Sequence, residues 1–231
     1  MHIQEKVKWN RLKTSLKFEE LIGYLKSTPY TDQLGYGYSS LELRDDFLST
    51  VYTEKLNRIE TSVDPLGNEI NQELVEYNSV NFSITKITQN LYLFSIINPP
   101  KSVKKFTDRF CRDLDYNVGF SAVNIDIFKY IDFMFTSSEV SLISIKKVKI
   151  SNFKVNENAK ATIEVTSKNN ALDDLNILAK NTSYVIDKLK ISCALNGERS
   201  DLEVSKNGTL LSLSHHLPFY TSVLMHQVSE I

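Results

Sequence analysis

Apolar residues recur with two periods along this chain, and the switches between those periods mark out its elements. Phe18, Leu21, Ile22 and Leu25 share one face of a helix over residues 17 to 26, which Pro29 ends. Gly35-Tyr36-Gly37-Tyr38 reads as a flexible aromatic loop, and Ser39 and Glu42 then have the spacing of a capping box. Leu43, Phe47, Val51 and Leu56 keep helical spacing, yet Ser49-Thr50-Val51-Tyr52-Thr53 is rich in strand formers. A helix giving way to a strand is expected there. Asp64-Pro65-Leu66-Gly67 has the residues of a type I turn and should join two antiparallel segments.

Val80, Phe82 and Ile84 make one strand; Leu91 to Ile97, nearly all apolar, makes a second that should be central. After Pro99-Pro100, a helix from about Lys101 carries the stripe Val103, Phe106, Phe110 and Leu114. Val118 to Ile125 reads as a strand, Ile127 to Phe135 as a buried helix, and Ser137-Ser138 as an internal boundary. Two strands follow, Ser141 to Val155 and Ala161 to Ser167. A single helix is then expected to hold Leu172, Leu175, Leu178, Val185 and Leu189 on one face. Asn196-Gly197 and Asn207-Gly208 predict a meander over residues 191 to 214, and a terminal helix would turn Tyr220, Leu224 and Val228 inward.

Together these predict an α+β fold, with antiparallel or mixed sheets packed against four to five helices in two sheet-and-helix layers. The expected organisation is an N-terminal helical segment and aromatic loop over residues 1–44, a first layer over 45–137 and a second over 138–231.

Composition removes classes of answer. With 231 residues, 42% of them hydrophobic, a net charge of -1 and only 7 Gly and 5 Pro, the chain is neither collagen-like nor disordered. Lys outnumbers Arg 21 to 6, and 19 Ile and 19 Asn stand against 6 Ala, which reads as AT-rich coding and a microbial or viral source. Cys111 and Cys193 make no disulfide framework, so a reducing compartment is expected. The opening residues hold no apolar leader, and no apolar run approaches the roughly 20 residues that span a bilayer. A cytoplasmic protein without membrane contact is therefore expected, and the sequons at Asn81, Asn181 and Asn207 carry no meaning.

Motifs of catalysis are missing: no GxxxxGK[ST], GxSxG, HExxH or CxxC occurs. Asp113-Leu114-Asp115-Tyr116-Asn117 matches the start of a calcium loop, but Val118 and Asn124 stand where that loop needs Gly and Glu. The histidines are His2, His215, His216 and His226. The adjacent pair would point to opposite faces if extended, with no Cys or acid at ligand spacing, so neither metal nor cofactor is expected. Both cysteines read as core fillers.

Two kinds of surface remain. Lys101, Lys104, Lys105 and Arg109 lie on the polar side of one helix, while Lys146, Lys147, Lys149 and Lys154 decorate one strand beside Phe153, a set able to hold phosphates and stack a base. Trp9, Tyr30, Tyr36 and Tyr38 suit a protein interface, since aromatic rings contribute area with little entropy loss. The leading expectation is a non-catalytic binding or assembly subunit of a multi-component complex, contacting another protein or further copies of itself. A nucleic-acid-binding component of a microbial defence or processing system comes second. Third is an enzyme whose groups, among Asp113, Asp115, Asp126, His215 and His216, meet only in the fold.

Overall fold

A computed structural model describes residues 3–180 and 182–228; His2, Asn181 and the side chain of Val228 lie outside the described residues. The chain begins with β1 (Gln4–Thr14), α1 (Phe18–Ser27), β2 (Tyr36–Arg44), β3 (Phe47–Val63), β4 (Glu69–Thr88) and β5 (Leu91–Ile97). Next come α2 (Lys104–Asp113), β6 (Val118–Ala122), α3 (Ile127–Thr136), β7 (Val140–Lys154), β8 (Lys160–Thr166) and α4 (Ala171–Ala179). The rest is β9 (Val185–Leu195), β10 (Glu198–Ser205), β11 (Thr209–Leu213), a 3₁₀ turn (Ser214–His216) and α5 (Leu217–Val228). Sheet dominates this α+β fold, at about 52% strand against 24% helix.

Two compact units divide the chain: a terminal unit, Met1–Arg11 with Ser121–Ile231, and an inserted unit, Leu12–Phe120. The division expected at Ser137-Ser138 falls inside the terminal unit.

In the inserted unit, β2, β3, β4 and β5 pair in sequence order, each antiparallel to the next. Leu48 and Tyr52 of β3, with Val80, Phe82 and Ile84 of β4, alternate inward and meet the buried stripes of α1 and α2. The core is aromatic: Phe82 stacks on Phe94 at 4.8 Å, and Tyr52 lies 4.9 Å from Phe106. The helix expected to start near Leu43 does not form. Inward positions there run with period two as Leu48, Thr50 and Tyr52, and cross-strand pairing overrides the helical spacing. The aromatic loop is likewise a strand. Gly37, at φ +152°, lets the Tyr30 backbone approach so closely that a Cβ would sit 2.4 Å from its nitrogen, and that approach docks β2 onto the end of α1.

The terminal unit is an antiparallel sheet in the order β1, β11, β10, β9, β7, β8. One lateral row of its inner face runs Val7, Leu210, Val204, Leu189, Val148, every member buried. Both Asn-Gly hairpins form, and at Asn196-Gly197 both residues take the positive φ that a type I′ turn requires (50° and 83°). Two helical expectations fail in part. Helix α3 exposes Phe128 and Phe135, so it is buried on one side only. Helix α4 stops at Ala179, where Lys180 turns left-handed (φ 42°), and Val185 and Leu189 belong to the strand beyond.

Candidate functional site

Of the aromatic residues expected at an interface, Trp9 is 0% and Tyr38 4% exposed. Both are core residues, because each occupies an inward position of its strand. Tyr36 is half-buried beneath the Arg109 guanidinium, 4.0 Å from its ring centre, and Tyr30 packs edge-on to Tyr77 at 6.4 Å. Most of the exposed apolar residues of the inserted unit lie elsewhere, on strands β3 and β4 and the turn that joins them. These two stay paired from Phe47↔Thr85 to Val63↔Glu69, yet beyond Glu54↔Asn78 almost nothing on either face is buried. Nine further residue pairs at ~3.4 Å each make an arm about 30 Å long.

The arm is capped by the expected turn. Asp64 accepts hydrogen bonds from the backbone nitrogens of Leu66 (2.8 Å) and Asn68 (2.9 Å) and from the Asn68 amide (2.9 Å), which hold its carboxyl below the usual range. Tyr77, Val75, Ile59 and Val63 share one face of the arm by register, and Leu56, Leu74 and Ile70 the other. Ile59, Val63, Ile70, Val75 and Tyr77 are each more than half exposed. Sequence reading missed this feature, since apolar residues on both faces of a two-stranded ribbon give no single alternation.

The basic candidates belong to different units. Lys101 lies ahead of α2, which starts only at Lys104; it is exposed, as are Lys104 and Lys105, while Arg109 is held by Glu54 (3.2 Å) and by Tyr36. On the strand side, Lys146 donates to the Lys168 carbonyl (3.1 Å), and Phe153 and Lys154 sit where β7 meets the end of β8. Lys147 and Lys149 join a wider pattern on the outer face of the terminal sheet. One row runs Lys8, Thr209, Ser205, Lys188, Lys149, Glu164, and the next Lys6, Leu211, Glu203, Lys190, Lys147, Thr166. Six lysines thus face two glutamates. Glu164 lies 2.6 Å from Lys147, which holds its carboxyl below the ordinary range, and Glu203 lies 2.7 Å from Lys188. Burial and the neighbouring Lys6 charge lower the pKa of Lys8. The alternations Lys6-Val7-Lys8 and Lys188-Leu189-Lys190 were legible; that they share a face with Lys147 was not.

The acids proposed for a fold-assembled site are dispersed. Asp113 accepts from the Tyr24 hydroxyl (2.9 Å), Asp115 stands in a left-handed turn after α2, and Asp126 caps α3 through Phe128 and Lys129. Burial raises the pKa of Cys111 and of Cys193, which disfavours the thiolate at both.

The histidine pair is different. A 3₁₀ turn, not a strand, carries His215 and His216, so their rings lie side by side with centres 4.0 Å apart instead of on opposite faces. The hairpin β10–β11 returns Glu198 to the same place, with its Oε2 3.3 Å from His215 Nε2 and 3.7 Å from His216 Nε2. These groups border a pocket of about 550 Å³ with Glu139, Asn196 and Phe219. Behind them His216 Nδ1 lies 2.8 Å from the buried Ser200 Oγ, which is 2.7 Å from the Tyr220 hydroxyl, itself 3.5 Å from Cys193 Sγ.

Among the described residues no helix is long and apolar enough to cross a membrane. No known protein-family model matches the chain, and no curated protein matches its sequence.

Proposed function

We propose that this protein is a binding or assembly subunit that inserts the β3–β4 arm into a protein partner, another chain or a further copy of itself. One observation carries the reading: a 30 Å ribbon (about nine residue pairs) presents apolar side chains on both faces, five of them more than half exposed, with only Tyr30 packed edge-on to Tyr77 at its base. An isolated two-stranded hairpin is marginally stable in water, and exposed apolar residues gathered on one element mark interaction sites. Fully burying such a side chain contributes about 1.5–3 kcal/mol, and these are already partly covered, so five of them offer roughly 5 kcal/mol of gross association energy.

A photo-crosslinking side chain at Ile59 or Val75, introduced in the full chain and exposed to native lysate, tests this. Discrete adducts should form from the arm and not from the polar control position Thr162. A monodisperse monomer whose arm yields no more adducts than Thr162 would overturn the proposal.

A second reading, binding of nucleic acid, is favoured by the two lysine rows of the terminal sheet. They hold no aromatic residue, so the contacts would be to phosphate and indifferent to sequence. With about six phosphate contacts, affinity for a fluorescent single-stranded oligonucleotide should fall roughly 300-fold between 50 and 200 mM salt. Absence of binding at the lower salt, or binding unaffected by changing Lys147, Lys149, Lys188 and Lys190 together to Glu, removes this reading.

A further inference from the structure

We infer that Glu198, His215 and His216 form a binding site for a divalent transition metal, with Zn2+ the best fit. Their ligand atoms all lie within 4.8 Å of one another. Tetrahedral zinc with bonds of 2.0–2.2 Å places neighbouring ligand atoms about 3.3–3.5 Å apart. The carboxylate oxygen stands 3.3 and 3.7 Å from the two imidazole nitrogens, near that spacing, and closing the set on one ion asks for side-chain rotation within the 4.8 Å cluster.

The polar chain behind His216 is an independent reason. One order of its hydrogen bonds runs from His216 Nδ1–H to Ser200 Oγ, from the Ser200 hydroxyl to Tyr220, from the Tyr220 hydroxyl to Cys193, and from the Cys193 thiol to the Ser200 carbonyl at 3.5 Å. In that order Nε2 keeps its lone pair and turns it toward Glu198. Fixing the tautomer and ring of a ligating histidine through its other nitrogen is what the outer shell of a metal site does.

Two imidazoles and one carboxylate select zinc or its first-row neighbours over Mg2+ and Ca2+, which take oxygen ligands. Three protein ligands beside a pocket of about 550 Å³ leave a fourth position accessible to water or a substrate oxygen, unlike a closed four-residue structural site. This inference is independent of the arm.

The test uses the full chain, stripped with chelator and dialysed. Titration with Zn2+ should give one equivalent bound, and Co2+ should produce the visible absorption of a tetrahedral centre. Glu198→Gln and His215→Ala, both at exposed positions, should weaken Zn2+ binding by more than the ten- to hundredfold that loss of an outer-shell partner costs, and Ser200→Ala by that ten- to hundredfold. His226→Ala should leave the affinity unchanged. Failure to take up either metal, or an affinity in Glu198→Gln and His215→Ala equal to that of the parent, overturns the inference.

Discussion

Removing a tyrosine hydroxyl should stabilise this protein at Tyr52, in the inserted unit, and destabilise it at Tyr220, in the terminal unit. Tyr52 is 2% exposed, its ring packed between Phe106 (4.9 Å) and Tyr38 (5.6 Å), and its hydroxyl has no hydrogen-bond partner among the described residues. Burial pushes its pKa up to about 12. A buried, unsatisfied hydroxyl costs about 1–3 kcal/mol of desolvation, so Tyr52→Phe, which keeps the ring, should stabilise the inserted unit by about 1 kcal/mol. Tyr220 is as deeply buried, but its hydroxyl lies 2.7 Å from Ser200 Oγ, and Tyr220→Phe should destabilise the terminal unit by about 1–2 kcal/mol. Urea denaturation separates the two effects. The sole tryptophan, Trp9, is buried in the terminal unit and reports on it by fluorescence, while far-UV circular dichroism follows the whole chain. Destabilisation by Tyr52→Phe of more than about 0.5 kcal/mol would refute the reasoning, because it would mean the hydroxyl has a partner.

Two further outcomes follow from backbone geometry. Gly37→Ala should destabilise the inserted unit by at least about 2 kcal/mol, since the new Cβ meets main-chain atoms that cannot swing away; a smaller change in urea midpoint would count against that close approach. Asp64 has a folded pKa held below the model-peptide 3.8, so its turn is stabilised above that pH and loses the contribution as pH falls through the folded value. Amide exchange at Leu66 and Asn68, compared between pH 6 and pH 3, should show the arm tip opening only at the acid end.

Local signals were the legible ones. Helix α1, the Asp64 turn and both Asn-Gly hairpins depend on residues a few positions apart, and sequence reading placed them all. Helical spacing at Leu43, Phe47 and Val51 misled because it runs across the β2–β3 hairpin into a strand whose other partner, β4, lies about thirty residues on. The run from Leu172 to Leu189 misled because a left-handed Lys180, a residue with no special preference for that conformation, ends the helix inside it. At the candidate metal site the two histidines stood in plain view. Their third partner did not, since Glu198 is seventeen residues upstream and arrives only through the return of a hairpin.

The stem of the arm makes it separable from its scaffold. Glu54 and Asn78 face each other directly across the ladder, a few ångströms apart, and residues beyond them contribute little to either core. Any segment whose ends lie that close can replace the arm without disturbing the sheet that carries it. For the same reason its sequence is free to drift with whatever it grips, so the region most exposed to change in this protein is the one the proposed function depends on.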